Sequence, residues 1–136
     1  MFLFDTNVVS ELRKLRPHGA VAAWVRTLRQ SEMFMPAIVI GEIQVGVELT
    51  RRQNVAKAAE INLWLEDLIA NFEVLPLDTE VCREWARLTH GRSRVLFEDA
   101  FIAATARVHG LVVARRNGAD FKEFDVKTFD PFTFAG

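Results

Sequence analysis

Four carboxylates stand where an acidic side chain needs a reason: Asp5, Glu42, Asp99 and Asp120. Asp5 follows FLF at 2–4, an apolar run that predicts a short buried strand, and Asp120 follows the apolar run LVVA at 111–114 by a short turn, RRNGADF. In open parallel sheets ligands bind at the carboxyl ends of the strands, so both positions fall where chemistry is commonly done. Asp5 also has a plainer reading, as the N-cap of a helix beginning at about Thr6 or Asn7. Glu42 lies in AIVIGEIQVGVEL at 37–49. A helical wheel at about 100° per residue places it in the apolar arc of Ile38, Val39, Ile43, Val45, Gly46 and Leu49, whereas Glu48 falls among Gln44, Arg51 and Arg52. A carboxylate in an apolar arc needs a cation, a hydrogen-bond donor or a proton. A structural salt bridge to an arginine is the plainer account. Asp99 stands in the first turn of FEDAFIAATARVHG, on the face continued by Ile102, Ala103 and Ala106; its neighbour Glu98 is equally placed to favour the helix dipole, and pattern alone does not choose between them.

Taken together, two of these groups follow strands and two lie early in helices that meet the same sheet edge, which gathers negative charge in one pocket. Like charges require compensation, and hard divalent cations prefer oxygen ligands, so Mg²⁺ or Mn²⁺ is the physical solution. A zinc site has no comparable support, because His18, His90 and His109 share no ligand spacing with one another or with Cys82. As the lone cysteine, Cys82 also excludes an internal disulfide and points to a reducing, cytoplasmic compartment.

The elements that must position these groups follow from apolar periodicity. After strand 2–4, NVVSELRKL predicts a short helix ended by Pro17, and 18–30 a second helix with Val21, Trp24, Val25 and Leu28 on one stripe. MFMP predicts a second strand, with Pro36 suited to start the helix that runs on through AIVIGEIQVGVELTRR. A polar link, TRRQN, joins it as a hairpin to a helix at 54–70 that turns Ile61, Trp64, Leu65 and Leu68 inward. FEVLPLD at 72–78 is a strand and turn, and Thr79 opens a helix with Val81, Trp85 and Leu88 on its stripe. GRSRV at 91–95 is a basic loop. The helix that follows is apolar nearly all round, hence buried, and Gly110 suits the left-handed residue that ends it. LVVA is the last strand expected, and KTFDPFTF is an aromatic tail. Strands that alternate with helices and are apolar on both faces predict an α/β sandwich with a mostly parallel central sheet.

A chain of 136 residues, half of them hydrophobic and with a net charge of −1, is one globular domain with a sizeable core and no global basic field. No stretch approaches the ~18 apolar residues of a membrane span, and Asp5 comes too soon for a secretory signal.

The stretches DTNVVSEL at 5–12, AIVIGEIQVGVEL at 37–49, EDAFIAATARVHGL at 98–111 and RNGADF at 116–121, in this order and spacing, resemble the PIN-domain ribonucleases. More narrowly they resemble the VapC-type toxins of bacterial toxin–antitoxin pairs, including the FitB-like branch. The similarity runs over nearly the whole chain. It implies a PIN-like α/β/α sandwich as a single domain over 1–136, and a Mg²⁺-dependent endoribonuclease in which Mn²⁺ substitutes. It also implies an acidic pocket of Asp5, Glu42, Asp99 and a fourth group, and takes Asp99 over Glu98. Asp5 and Asp99 would hold the ion, with Glu42 and Asp120 completing the site directly or through water. Asn117 is the other option for the fourth place; it adds no charge, which favours Asp120. Thr6 and Asn7, with Asn117, are expected to support these groups, the alternative for Thr6 and Asn7 being that they merely start a helix. Arg13, Lys14, Arg16, Arg92, Arg94 and Arg115 are candidates for RNA phosphate contacts, although such a cluster is ordinarily a solvated face. The expected partners are RNA, a cognate antitoxin and a second copy of the chain in a homodimer, with a larger antitoxin-containing assembly as a further option.

The chain departs from the family pattern at Val39 and at Arg115, where a hydroxyl residue is usual. Arg115 is the more consequential, since a guanidinium there either crowds and neutralises the pocket or contacts phosphate. Two alternatives follow: a weakened PIN domain that binds RNA or protein without cutting, and a phosphoacceptor receiver domain, for which Glu42 inside a helix has no role.

Overall fold

The computed structural model describes residues 1–92 and 97–136, apart from the side chain of Asp120. Ser93, Arg94 and Val95 of the expected basic loop, and Leu96 after it, therefore lie outside the described residues.

Five short strands form one sheet: β1 (Phe2–Phe4), β2 (Met33–Pro36), β3 (Glu73–Leu75), β4 (Val112–Ala114) and β5 (Thr128–Phe129). Their order is β3-β2-β1-β4-β5, and every neighbouring pair is parallel. The chain thus builds outward from β1 through β2 to β3, then returns to the far side of β1. The reversal lies between β1 and β4. Strand ends diverge at such a point and leave a crevice outside their carboxyl ends. Phe4 is in register with Ala114, and the Asp5 N–H donates to the Ala114 carbonyl at 3.0 Å, so the residues after the two strands emerge side by side.

Helices fill the crossovers and give the expected α/β/α arrangement: α1 (Thr6–Glu11), α2 (Gly19–Arg26), α3 (Ala37–Arg51), α4 (Val55–Asn71), α5 (Thr79–Thr89) and α6 (Phe97–His109). Leu3 and Phe4 are fully buried, as a strand covered on both faces requires. Trp24 of α2 packs on Phe2, Phe4 and Phe129 with ring centroids 5.0, 5.2 and 5.4 Å away, which ties the second helix to β1 and β5. Trp85 of α5 stacks on Phe101 of α6 at 4.9 Å. α6 is buried continuously from Ala100 to Ala106 and ends at Gly110, whose φ of +66° is the left-handed value a helix stop needs.

Several expectations are corrected. The first helix ends at Glu11, well short of Pro17, because the Glu11 carboxylate turns inward, accepts the His18 N–H at 2.8 Å and pairs with Lys14 at 2.7 Å. The second helix stops at Arg26, where the Thr27 hydroxyl donates back to the Trp24 carbonyl at 2.6 Å. Pro36 closes β2 and caps α3, which begins one residue later. The turn after β4 contains a 3-10 stretch, Gly118–Phe124, and the aromatic tail supplies the fifth strand. On α3 the buried residues are Val39, Ile43 and Val47, whereas Val45 and Leu49 of the expected apolar arc are more than half exposed. Glu42 is consequently half-buried rather than enclosed.

Candidate active site

Asp5 and Asp99 come together at the crevice between β1 and β4, and Glu42 is joined to them through Thr6. Asp5 leaves β1 as the N-cap of α1: its Oδ1 accepts the Thr6 N–H at 2.6 Å, so the cap belongs to Asp5 itself and not to Thr6 or Asn7. That bond fixes the carboxylate while the strand end buries it, and only 6 % of the residue is exposed. Burial pushes the Asp5 carboxyl above its ordinary value; the nearby Arg115 guanidinium and the Thr6 N–H pull the other way, and Asp99 adds to the rise.

Asp99 comes from the first turn of α6, which runs back from the crevice and so starts at the same sheet edge. Its side chain is 19 % exposed, whereas Glu98 beside it faces solvent. The structure thus separates two residues that pattern could not.

Between the two aspartates stands Arg115, the residue that follows β4. Its Nη1 is 3.3 Å from Asp5 Oδ2 and 3.4 Å from Asp99 Oδ1. Its backbone N–H donates to the Phe129 carbonyl at 3.0 Å, and its guanidinium lies over the Phe121 ring at 4.2 Å. At 9 % exposure it faces the pocket interior, not solvent. This replaces the surface placement that a phosphate contact requires with an ion pair inside the site.

Glu42 reaches the crevice from α3. Its Oε1 accepts the Thr6 hydroxyl at 3.1 Å. Burial raises its carboxyl pKa, opposed by the Thr6 bond and assisted by the negative charge of Asp5, Glu98 and Asp99. Thr6 therefore touches both sides of the site, holding Asp5 through its backbone and Glu42 through its hydroxyl. Beside them Ser10, Arg13, Gly46, Thr50, Ile61 and Trp64 complete a recess of about 260 Å³ between α1, α3 and α4.

The remaining expected residues are distributed as follows. Asp120 belongs to the 3-10 stretch after β4, and its side chain lies outside the described residues. Asn117 precedes that stretch with φ +55°, a left-handed value that asparagine tolerates better than most residues. Asn7 is exposed and accepts the Arg116 N–H at 3.5 Å. Arg13, Lys14 and Arg16 are exposed after α1, with Lys14 engaged by Glu11. Arg92 donates to the Glu123 carbonyl at 3.0 Å, and Arg94 is outside the described residues.

One organising residue, in the TFDPF stretch of the aromatic tail, is not among the expected site residues. Asp130 follows β5, accepts the Asn117 N–H at 3.3 Å through Oδ2 and the Phe132 N–H at 2.9 Å through Oδ1, and so pins the loop that carries Arg115 and Asn117.

Comparison with known proteins matches this arrangement. The PIN domain family model matches residues 2–127. Toxin FitB of Neisseria gonorrhoeae is 34% identical over 140 residues, covering 97% of this chain and 99% of the relative. VapC ribonuclease Y4jK of Sinorhizobium fredii is 32% identical over 138 residues, covering 97% and 98%. Among solved structures, FitAcB from Neisseria gonorrhoeae superposes with a TM-score of 0.87 at 34% identity, covering 98% of this chain and 100% of the other. FitAB bound to an IR36 DNA fragment superposes at 0.86 and 33%, covering 100% and 99%. By the family model over residues 2–127 and the identity with Toxin FitB, the chain belongs to the PIN-domain family.

Proposed function

We propose that this protein is a divalent-metal-dependent endoribonuclease and the toxin of a type II toxin–antitoxin pair, hydrolysing phosphodiester bonds of RNA. The observation that carries the reading is the convergence of Asp5 and Asp99 oxygens on one cationic atom at the sheet's switch point, beside a half-buried Glu42. The naming of similar proteins as a toxin and as a VapC ribonuclease supports it.

The donor set suits a hard cation: Arg115 Nη1 marks a point that two carboxylate oxygens already share. Among the described residues no three His, Cys, Asp or Glu side chains gather closely enough to hold a metal ion unaided. Asp5 and Asp99 are therefore the residues that would hold Mg²⁺ or Mn²⁺, with Glu42 and Asp120 completing the site directly or through water. When bound, the ion supplies a Lewis acid that lowers the pKa of the attacking water and polarises a phosphate oxygen.

The protein's own groups do the rest. The Thr6 hydroxyl holds Glu42 Oε1 and leaves Oε2 to receive a proton from water, a task suited to a carboxylate whose proton affinity burial has raised. The Thr6 N–H keeps Asp5 from rotating away. Arg13, on the wall of the adjoining recess, is placed to receive a backbone phosphate. A cognate antitoxin and a second copy of the chain are the protein partners this function calls for.

The test is cleavage of single-stranded RNA in Mn²⁺. Asp5→Asn should abolish it while the far-UV spectrum stays unchanged; full activity in that variant, or wild-type cleavage in excess EDTA, would remove the metal-site reading. Arg115 in the pocket favours one competing function, a weakened PIN domain that binds RNA without cutting. Retained RNA binding without cleavage in the wild-type chain would establish it. Membership of the PIN family sets the phosphoacceptor alternative aside.

A further inference from the structure

Arg115 is buried, charged and central, and the reaction outlined above assigns it no step. Its guanidinium occupies the point on which Asp5 and Asp99 converge, at 3.3 and 3.4 Å. Its backbone is anchored to β5 through Phe129, and its plane rests on Phe121, so the fold directs it there. It reaches that point although its Nε, buried, has no partner among the described residues. An unpaired buried donor is costly, and the Nη1 ion pairs with the stacking on Phe121 are the contacts that offset it.

We infer that Arg115 is a built-in counter-cation that competes with the divalent ion for Asp5 and Asp99, so that the site loads only when the guanidinium moves off. The inference rests on the metal-binding reading of the pocket and deepens it. Without a cation the two carboxylates would repel one another across the crevice; Arg115, within 3.3 and 3.4 Å of them, offsets that repulsion in the metal-free chain. Every ion that enters must then replace an attraction already made. A lysine or histidine could yield by losing its proton, but a guanidinium stays charged throughout the accessible pH range, so the competition is ended only by displacement.

The experiment is a Mn²⁺ titration of the purified full-length chain, followed by electron paramagnetic resonance, on wild type, Arg115→Thr and Arg115→Met. Met keeps most of the length and packing on Phe121 without the charge. Both variants should bind Mn²⁺ about tenfold or more tightly than wild type, the loss expected for a competing charged hydrogen bond. Equal affinities in all three proteins would overturn the inference. A second measurement needs no variant: in the wild type, Mg²⁺ should shift the Arg115 Nε–H resonance over the same concentrations that shift the amides of Asp5 and Asp99. Saturation of those amides with the Arg115 signal unmoved would also overturn it. RNA cleavage measured in parallel separates the two readings. Absent cleavage with the affinity contrast intact removes the nuclease assignment alone, and normal cleavage with equal affinities removes the counter-cation alone.

Discussion

Thr6 Oγ1 donates to Glu42 Oε1 at 3.1 Å, joining the first residue of α1 to the middle of α3 across the floor of the crevice. The same threonine fixes Asp5 through its backbone, so one small residue sets the spacing of two acids.

Thr6→Val keeps the shape and removes the donor. A hydrogen bond to a charged group contributes about 1.5–3 kcal/mol, so RNA cleavage should fall about tenfold or more in kcat, while Thr6→Ser retains most of it. Equal rates for Val and Ser in a steady-state cleavage assay would show that the hydroxyl does not orient Glu42.

Glu42→Gln separates stability from activity. Burial raises the Glu42 carboxyl pKa above 4.5, so its favourable contribution to folding is present below that pH and is lost as pH rises through the folded-state value. Glutamine carries no such loss. The variant should melt at or above the wild-type temperature at neutral pH and lose cleavage, as expected where a functional charge is held against stability. A fall of several degrees in calorimetry would contradict this.

Gly118→Ala tests the loop after β4. A Cβ there would lie 2.8 Å from the Thr128 Cβ and closer still to its hydroxyl, so alanine cannot be accommodated without moving β5. The cost should be about 1–3 kcal/mol in chemical denaturation, and Thr128→Gly in the same chain, which removes the opposing Cβ as well as the hydroxyl, should recover part of it. Additive losses in the double variant would place the strain elsewhere.

Glu84 gives the opposite pH sign from Glu42. Arg107 donates to it and holds its carboxyl below 4.5, with Arg87 adding to the effect. The pair therefore stabilises above 4.5, and that stability is lost as pH falls through the lowered value. Arg107 also donates to the carbonyls of Phe124 and Asp125, both at 3.1 Å, so the loss loosens the join between α5, α6 and the end of the 3-10 stretch. In melts between pH 6 and 3, Glu84→Gln should start lower and decline less steeply than wild type.

Much of this architecture is legible in apolar periodicity. FLF, MFMP and LVVA are strands because they are apolar on both faces, and the helix after Phe97 is buried because small and apolar residues surround it. β5 is not legible: two residues in an aromatic tail carry no period, and their pairing with β4 is a tertiary event. The arc around Glu42 misled because α3 has two apolar faces, and a wheel cannot tell the one covered by the core, with Val39, Ile43 and Val47, from the one left outside, with Val45 and Leu49. Arg115 was visible as an anomaly, but whether it turned toward the acids or toward solvent depended on side-chain direction and on Phe121 beneath it.

The sheet's outermost strands, β3 and β5, are three and two residues long. Strands so brief expose too few backbone donors and acceptors to template another chain, which blunts both margins against edge-to-edge aggregation. They also make β-augmentation a poor mode of recognition here. What the fold leaves open to recognition is therefore side chains on helix surfaces and at the crevice beyond the strand ends, groups that can be exchanged one residue at a time without disturbing the sheet.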